Sequence, residues 1–486
     1  MYNDFKLLDQ DRPAHIQVKD YVKRLIVRGA LQAHQKLPAT REMSKLLGVS
    51  RNTVITAYAD LEDEGLIYAV QGKGSYVADM QLSAEPAASW QTDWASRVND
   101  YARQAVELDR MKNGIRAAKG VISFTSIAPD ESLFDLDNVK RAFLDRMSLE
   151  GHVLLNYGYA KGYKPLIEFL MRYMEQKGVD LTGKDMLITS GFTEGFDIVL
   201  AALGKKHGAV LCENPTHQTA LKNLKLNGFQ ITGIDMEQDG LHLGKLKQAL
   251  SERSYDCAYL IPSYHNPTGI VTSPGKRMAL MKLLSDYEIP VIEDGFNEEL
   301  RYSSSHALPL MSLAGGGNSV IYLGSFSKVL FPGLRVGWVL ADKQLIDYLE
   351  SIKRARSIHT STLDQAVLYQ YLHNGHLDKY LKKARQEYKK KYEWTRQCCE
   401  QFIPFARLSG DGGLHLFLEF EKGFDTHRLL DACLSEGVIF TPGEMFFTDG
   451  GGRNTMRIGF SRLDIGEIAK GLRIIGELAA KQLLEG

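Results

Sequence analysis

Two hydrophobic rhythms divide the chain. Up to residue 78 the apolar positions recur at helical spacing. Val18, Val22, Leu25 and Ile26 share one side of a helix predicted over residues 16–27, and Gly29 stands as its stop. Thr40 stands as the cap of a helix that carries Met43, Leu46 and Leu47 inward, and Gly48 ends that run. Ser50 caps a further helix in which Val54, Ala57, Tyr58 and Leu61 repeat. Two short helices joined by a glycine-containing turn form a helix-turn-helix. The runs 66–70 and 75–77 flank Gln71-Gly-Lys-Gly74, which predicts a β-hairpin with a glycine-rich tip, a wing. From Gly120 onward short apolar runs alternate with amphipathic ones. Strands are predicted at 186–188, 209–212, 230–233, 258–261, 291–293, 320–323 and 336–341. Helices are predicted at about 163–176, 193–203, 218–227, 243–251 and 275–287. This alternation predicts an α/β domain with a mostly parallel sheet covered on both faces, and ligands gathered on loops outside the strand ends. Residues 79–93 lack periodicity and hold Pro86 among Ala and Ser, while 94–111 reads as a polar helix or a continuation of the tether. The expected organisation is a winged helix over 1–78, a linker over 79–117 and a large domain over 118–486.

Composition narrows the class. At 486 residues, 44% hydrophobic and 24% charged, the chain holds enough apolar content for a large core. Lys+Arg and Asp+Glu both number 59, so any attraction to nucleic acid has to be local. Such a patch exists: between Arg12 and Arg51 nine basic residues face two acidic ones, Asp20 and Glu42. Ser50, Arg51, Asn52 and Thr53 open the second helix of the helix-turn-helix, the end that enters a major groove, where Arg and Asn have favoured base partners. The five cysteines show no CxxC pairing and no metal-ligand spacing, which points to a reducing cytoplasm. No signal pattern and no bilayer-length apolar run stands out, so no membrane partner is expected.

The chemistry concentrates on loops. Ser325-Phe-Ser-Lys328 follows an apolar run and precedes Arg335 by seven positions. A lysine at the end of a buried strand can form a Schiff base with an aldehyde cofactor, while Ser325, Ser327 and Arg335 hold a phosphate; that is pyridoxal 5′-phosphate (PLP) chemistry. Gly191, Phe192 and Thr193 open a helix after a strand, and their free N–H groups offer a second phosphate contact. Pro267 and Gly269 predict a turn that fixes Asn266 against the phenolic oxygen of PLP. Asp294 ends a buried strand, where pairing with the pyridine nitrogen would offset its burial; Glu293 is the alternative. His217 follows another strand and can stack on the cofactor ring. Arg457, inside an apolar run, needs an acidic partner, either a ligand carboxylate or an internal salt bridge.

Residues 13–78 resemble the winged helix of GntR-type bacterial regulators. The resemblance is carried by Leu37-Pro38, Thr40-Arg41-Glu42, Leu46, Gly48-Val-Ser-Arg-Asn-Thr-Val54, Ala57-Tyr58, Leu61, Gly65 and Gly72-Lys-Gly74. It implies DNA contacts at Arg41, Ser50, Arg51, Asn52, Thr53, Gly72 and Lys73. Residues 120–486 resemble fold-type I PLP enzymes of the class I/II aminotransferase group, and the whole chain resembles the MocR/GabR regulators. That family implies a head-to-tail homodimer, an internal aldimine at Lys328 and an effector carboxylate on Arg457. It also implies that Tyr157, or less favourably Tyr159, reaches the neighbouring subunit's phosphate. The chain departs from the family in three places. His217 replaces a stacking tyrosine, Phe296 or Asn297 replaces a tyrosine on the phenolic oxygen, and Thr219 replaces the second arginine of the GABA-responsive member. The expected function is therefore a DNA-binding transcriptional regulator that senses an amino compound, or PLP, through aldimine formation at Lys328. A working aminotransferase with an accessory DNA-binding domain is the alternative.

Overall fold

The computed structural model describes residues 2, 5, 7, 11–79, 91–113, 120–204, 208–295, 297–302 and 308–485. Readings made above for 80–90, 114–119 and Phe296 lie outside these residues. The chain divides into two units, Met1–Arg97 and Val98–Gly486.

In the first unit α1 (Ala14–Val27), α2 (Thr40–Leu47) and α3 (Arg51–Asp63) precede β1 (Ile67–Val70) and β2 (Gly74–Val77). Val18, Val22, Ile26, Met43, Val54 and Leu61 are buried among them, as the helical spacing predicts, and Tyr21 joins the core too. Leu46, expected inward, is instead 44% exposed, because the buried face of α2 runs through Met43 and Leu47, four residues apart. Gly48 ends α2 with φ +65°, a left-handed conformation that suits glycine. Ser50 caps α3, its Oγ accepting from Thr53 N at 3.1 Å. Thr40 does not cap α2. It is the helix's first residue, Ala39 holds the cap position, and the Thr40 hydroxyl instead accepts from Arg51 Nε at 3.4 Å. β1 and β2 pair antiparallel from Ile67↔Val77 to Val70↔Gly74, leaving Gln71, Gly72 and Lys73 as the wing tip.

In the second unit an eight-stranded sheet runs in the order Lys184–Thr189, Gly337–Asp342, Val320–Ser325, Val291–Asp294, Cys257–Leu260, Ala209–Asn214, Gln230–Glu237, Gly240–Leu241. Five consecutive members, from Val320–Ser325 to Gln230–Glu237, are parallel to one another. Gly337–Asp342 runs antiparallel to both of its neighbours. The central strands are buried along their length, which is why they read as continuous apolar runs. A second, four-stranded antiparallel sheet joins Arg407–Ser409, His415–Glu419, Thr455–Gly459 and Thr441–Pro442, with helices Thr426–Ser435 and Ile465–Glu485 around its own core. The 27-residue helix His376–Phe402 links the two cores: Leu381 and Tyr388 enter the first, Cys398 and Cys399 the second. The helical part of the expected linker, Asp100–Asn113, packs on helix Gln218–Leu226 within this unit. Among the described residues no helix is long and apolar enough to cross a membrane.

Candidate functional site

The site lies where the parallel strands end. Ser190, His217, Asn266, Asp294 and Lys328 each lie at or shortly after the carboxyl end of a different strand of the large sheet. A doubly covered sheet leaves its ligand crevice at that edge.

One half of the site is a cup of donors. Gly191 precedes helix Phe192–Leu203 with φ +84°, and no side chain caps that helix. A Cβ at Gly191 would stand 2.5 Å from Arg335 Nη2, so glycine lets the guanidinium close over the helix start. Arg335 donates to Ser190 O at 3.0 Å and to Ser327 Oγ at 3.4 Å. Ser325 Oγ donates to Ser327 Oγ at 3.0 Å and accepts from Ser327 N at 3.1 Å. Two hydroxyls, a guanidinium and the first amides of a helix thus converge. Ser190 Oγ, 3.4 Å from Thr360 Oγ1, extends the rim.

The other half is buried and holds charge at a cost. Asp294 accepts from the Tyr259 hydroxyl at 2.7 Å. Burial pushes its carboxyl up to about 7, helped by nearby Glu298, while the Tyr259 hydroxyl and the Lys328 charge pull the other way. Glu293, one residue earlier on the strand, accepts from the amides of Leu310 and Met311 at 2.6 and 2.8 Å. Those amides open the short helix Leu310–Leu313 and engage both oxygens of Glu293, which leaves Asp294 as the strand's candidate site carboxylate. Arg457 is buried, donates to Asn266 Oδ1 at 2.9 Å and to Thr125 O at 3.2 Å, and lies 4.9 Å from the Phe446 ring centroid. Among the described residues no carboxylate pairs with it, which removes the internal salt bridge as an explanation, and burial lowers it to about 10. Because Asn266 Oδ1 serves Arg457, its NH₂ remains the group to offer a ligand. His217 stands 5.6 Å, centroid to centroid, from Phe192.

Sequence reasoning missed Tyr259 and His415. The register pairs Tyr259 with Ile292, which sets the phenol on the face of Asp294. His415 shares the Arg457 face of the second sheet, and its Nε2 lies 3.2 Å from His265 O, which fixes the proton on Nε2. Burial, with Arg457 and Lys328 nearby, holds His415 down at about 3 and so neutral. Tyr157 does not join the cluster. It is 81% exposed, with its ring edge-on to His359 at 6.2 Å, and Tyr159 is exposed as well.

On the first unit Arg41, Arg51, Asn52, Gly72 and Lys73 are exposed. The basic excess counted from sequence is partly spent internally: Arg12 pairs with Asp20, and Lys19 and Lys23 share Glu64. Arg41, Lys45 and Arg51 remain on the outer side of the helix-turn-helix.

The residues present fit PLP. The donor cup matches a phosphate, and a ring nitrogen that carries a proton would ease the ionisation of Asp294. Among the described residues, Asn297, only 2% exposed and at φ +55°, has no hydrogen-bond partner for either side-chain amide atom, and Arg457 Nε also lacks one. Buried polar atoms of this kind are costly in a protein that binds nothing beside them.

Comparison with known proteins agrees with this geometry. Residues 120–475 match the aminotransferase class I and II family, and residues 15–77 match the gntR family of bacterial regulatory proteins. The chain is 28% identical to the HTH-type transcriptional regulator YisV of Bacillus subtilis (strain 168), over 98% of this chain and 97% of that protein. It is 25% identical to the probable rhizopine catabolism regulatory protein MocR of Rhizobium meliloti, over 96% of this chain and 93% of that one. The crystal structure of LysN from Thermus thermophilus, an α-aminoadipate aminotransferase complexed with N-(5′-phosphopyridoxyl)-L-leucine, covers 81% of this chain and 100% of its own at TM-score 0.74 and 29% identity. With a GntR-type winged helix in front of a PLP-binding fold, the chain belongs to the aminotransferase class I and II family, in its MocR/GabR-type regulator branch.

Proposed function

We propose that this regulator senses an amino acid-like compound, or PLP itself, at the Lys328 site and transmits its occupancy to operator DNA held by residues 1–78. The carrying observation is Arg457, a buried cation without an acid among the described residues, bonded to Asn266 beside the sheet edge that also bears Asp294 and Lys328. Such an arginine suits a ligand carboxylate. When bound, PLP supplies an aldehyde carbon for which Lys328 and an effector amine compete, and a ring that draws electrons once its nitrogen is protonated. Ser325, Ser327, Arg335 and the amides of Gly191, Phe192 and Thr193 hold the phosphate. His217 covers the ring, Asn266 donates to the phenolic oxygen, and Asp294 keeps the proton on the ring nitrogen. Thr219 brings no second cation, which disfavours GABA. Arg41, Arg51, Asn52 and the Gly72–Lys73 wing tip face the DNA.

The working unit in this reading is a cytoplasmic head-to-tail homodimer. Leu144, Leu149 and Leu155 are exposed along and just after helix Leu136–Leu154, next to Tyr157. An apolar strip of that kind suits a second copy, with Tyr157 reaching the other phosphate cup. Residues 118–486 then serve both as sensor and as dimer body.

A spectral titration of the PLP-loaded protein with a panel of amino compounds tests the reading. One chemical class should change the cofactor absorbance and also shift affinity for the protein's operator. Lys328, Asp294 and Asn266 on one sheet edge, with Arg457 bonded to Asn266 from the second sheet, favour a second reading, a working aminotransferase. Rapid multiple turnovers with 2-oxoglutarate would establish that reading over the pure sensor.

A further inference from the structure

We propose that the Asp109–Lys222 ion pair is a latch through which the tether helix Asp100–Asn113 reads whether the Lys328 site is occupied. The proposal rests on the reading of that site given above.

Helix Asp100–Asn113 begins three residues after Arg97, the end of the DNA-binding unit. Its contact with the large unit is narrow. Ala102, Ala105 and Leu108, spaced by three, are half-buried, whereas Tyr101 and Val106 are more than half exposed. Asp109 Oδ1 meets Lys222 Nζ at 2.8 Å, on helix Gln218–Leu226. The seam beside this pair is not filled. A cavity of about 280 Å³ opens there, bordered by Leu108, Asp109, Thr193, Gln218, Lys222 and Met445. Among the described side chains, this helix sets two alanines, a leucine and a half-exposed ion pair beside the void, a modest contact of the kind a switchable element requires.

Residues that border the cavity are sequence neighbours of residues that pack at the site. Three neighbouring pairs place one member at the site and one at the cavity: Phe192 and Thr193, His217 and Gln218, Phe446 and Met445. Phe192 packs against His217 at 5.6 Å, Phe446 packs against Arg457 at 4.9 Å, and Thr216 N donates to Phe446 O at 2.8 Å. Helix Gln218–Leu226 has His217 as its cap residue, so a displacement of the His217 ring is carried along a rigid element to Lys222. A ligand that moves His217 or Arg457 therefore changes the fit of Asp109 on Lys222. The latch has two arrangements, docked and released, and the site biases between them.

Hydrogen exchange of the full-length, PLP-loaded protein tests this, with aminooxyacetate as the probe. This oxyamine carries a carboxylate and condenses with the PLP aldehyde. Amides of residues 100–109 should exchange at rates that differ by about threefold or more between the free and probe-bound protein, the scale of an exposed ion pair. Asp109→Lys and Lys222→Asp should each collapse that difference while PLP absorbance and probe binding persist. The double variant with the charges exchanged should restore it. Equal exchange in wild type with and without the probe, when absorbance shows the probe bound, overturns the latch, as does a single variant that keeps the wild-type difference or a double variant that fails to restore it. If PLP gives no lysine-dependent absorbance, the reading of the Lys328 site fails, and the latch fails with it.

Discussion

The recognition helix Arg51–Asp63 keeps its polar side chains in water, while the strand ends around Asp294 and Arg457 bury theirs. Both regions bind charged partners, but by opposite means. Across the winged helix, Arg41, Arg51 and Lys73 are exposed and cost the fold almost nothing, so any attraction to phosphate is long-ranged and screened by salt. At the strand ends, burial raises Asp294 to about 7 and lowers Arg457 to about 10 before any ligand arrives. There the fold carries a standing desolvation cost that Tyr259, Asn266 and Thr125 offset in part and that a bound molecule can offset further. The first region tolerates many DNA sequences at similar electrostatic energy; the second selects a small molecule by leaving few groups unsatisfied.

The contrast breaks most visibly at Arg457. Arg457→Met should weaken binding of a carboxylate-bearing amino compound by about a hundredfold, the scale of a lost charged hydrogen-bond pair, measured by titration of cofactor absorbance. The same variant should melt no lower than wild type, since it deletes a buried cation that no acid among the described residues balances. A lowered melting temperature with intact binding would mean that Arg457 serves the fold. Arg51→Ala probes the other region. It should reduce operator affinity by roughly tenfold to a hundredfold and flatten the salt dependence, while PLP loading stays unchanged. A variant that binds its operator normally would remove Arg51 from the recognition surface.

The same contrast decided what could be read from sequence. The winged helix was legible because its core is local: Val54, Ala57, Tyr58 and Leu61 fall on one face, and Gly48 marks the turn. The loops at the large sheet's edge were legible because a lysine, an aspartate and an asparagine each stood just after an apolar run. The second sheet was not. Its strands are two to five residues long and pair across Phe417↔Arg457 and Thr441↔Arg457, so their identity depends on distant partners. For that reason His415 went unnoticed although it shares the face of Arg457. Tyr259 reads as one more core residue until the register sets it beside Asp294. The docking of Asp100–Asn113 left no mark either, since alanines at three-residue spacing resemble a solvated helix.

Asp294 sharpens the comparison through pH. Its folded-state value lies above the unfolded one, 3.8 against about 7, so the folded protein binds the proton more tightly. The stabilisation is complete below the unfolded value and is lost as pH rises through about 7. In PLP-free protein Asp294→Asn should therefore remove part of the stability loss between pH 4 and 7, by about 2 kcal/mol, half of what the full shift implies. PLP loading should have a similar flattening effect on wild type, because a protonated ring nitrogen favours the ionised carboxylate. Thermal melts across that range, with and without PLP, check both. A wild-type slope that PLP leaves untouched would separate Asp294 from the ring nitrogen.

Ser50 gives the smallest effect and the finest division between the two regions' means. The resemblance places it among the DNA contacts, yet its Oγ already accepts from Thr53 N at 3.1 Å and meets Thr53 Oγ1 at 2.8 Å. A hydroxyl engaged as a helix cap has less to offer a base. Ser50→Ala should cost the winged helix about 1 kcal/mol, the usual worth of such a cap, and lower operator affinity only a few-fold through fraying of the helix start. Ser50→Asp separates the two roles. Aspartate caps as well as serine and suits the positive end of the helix, so melting of the first unit should match wild type. It also sets a carboxylate against DNA phosphates, so operator binding should fall by about tenfold, most steeply at low salt. Equal binding by the aspartate and serine proteins would place Ser50 away from the DNA and leave Arg51 and Asn52 as the helix's forward contacts.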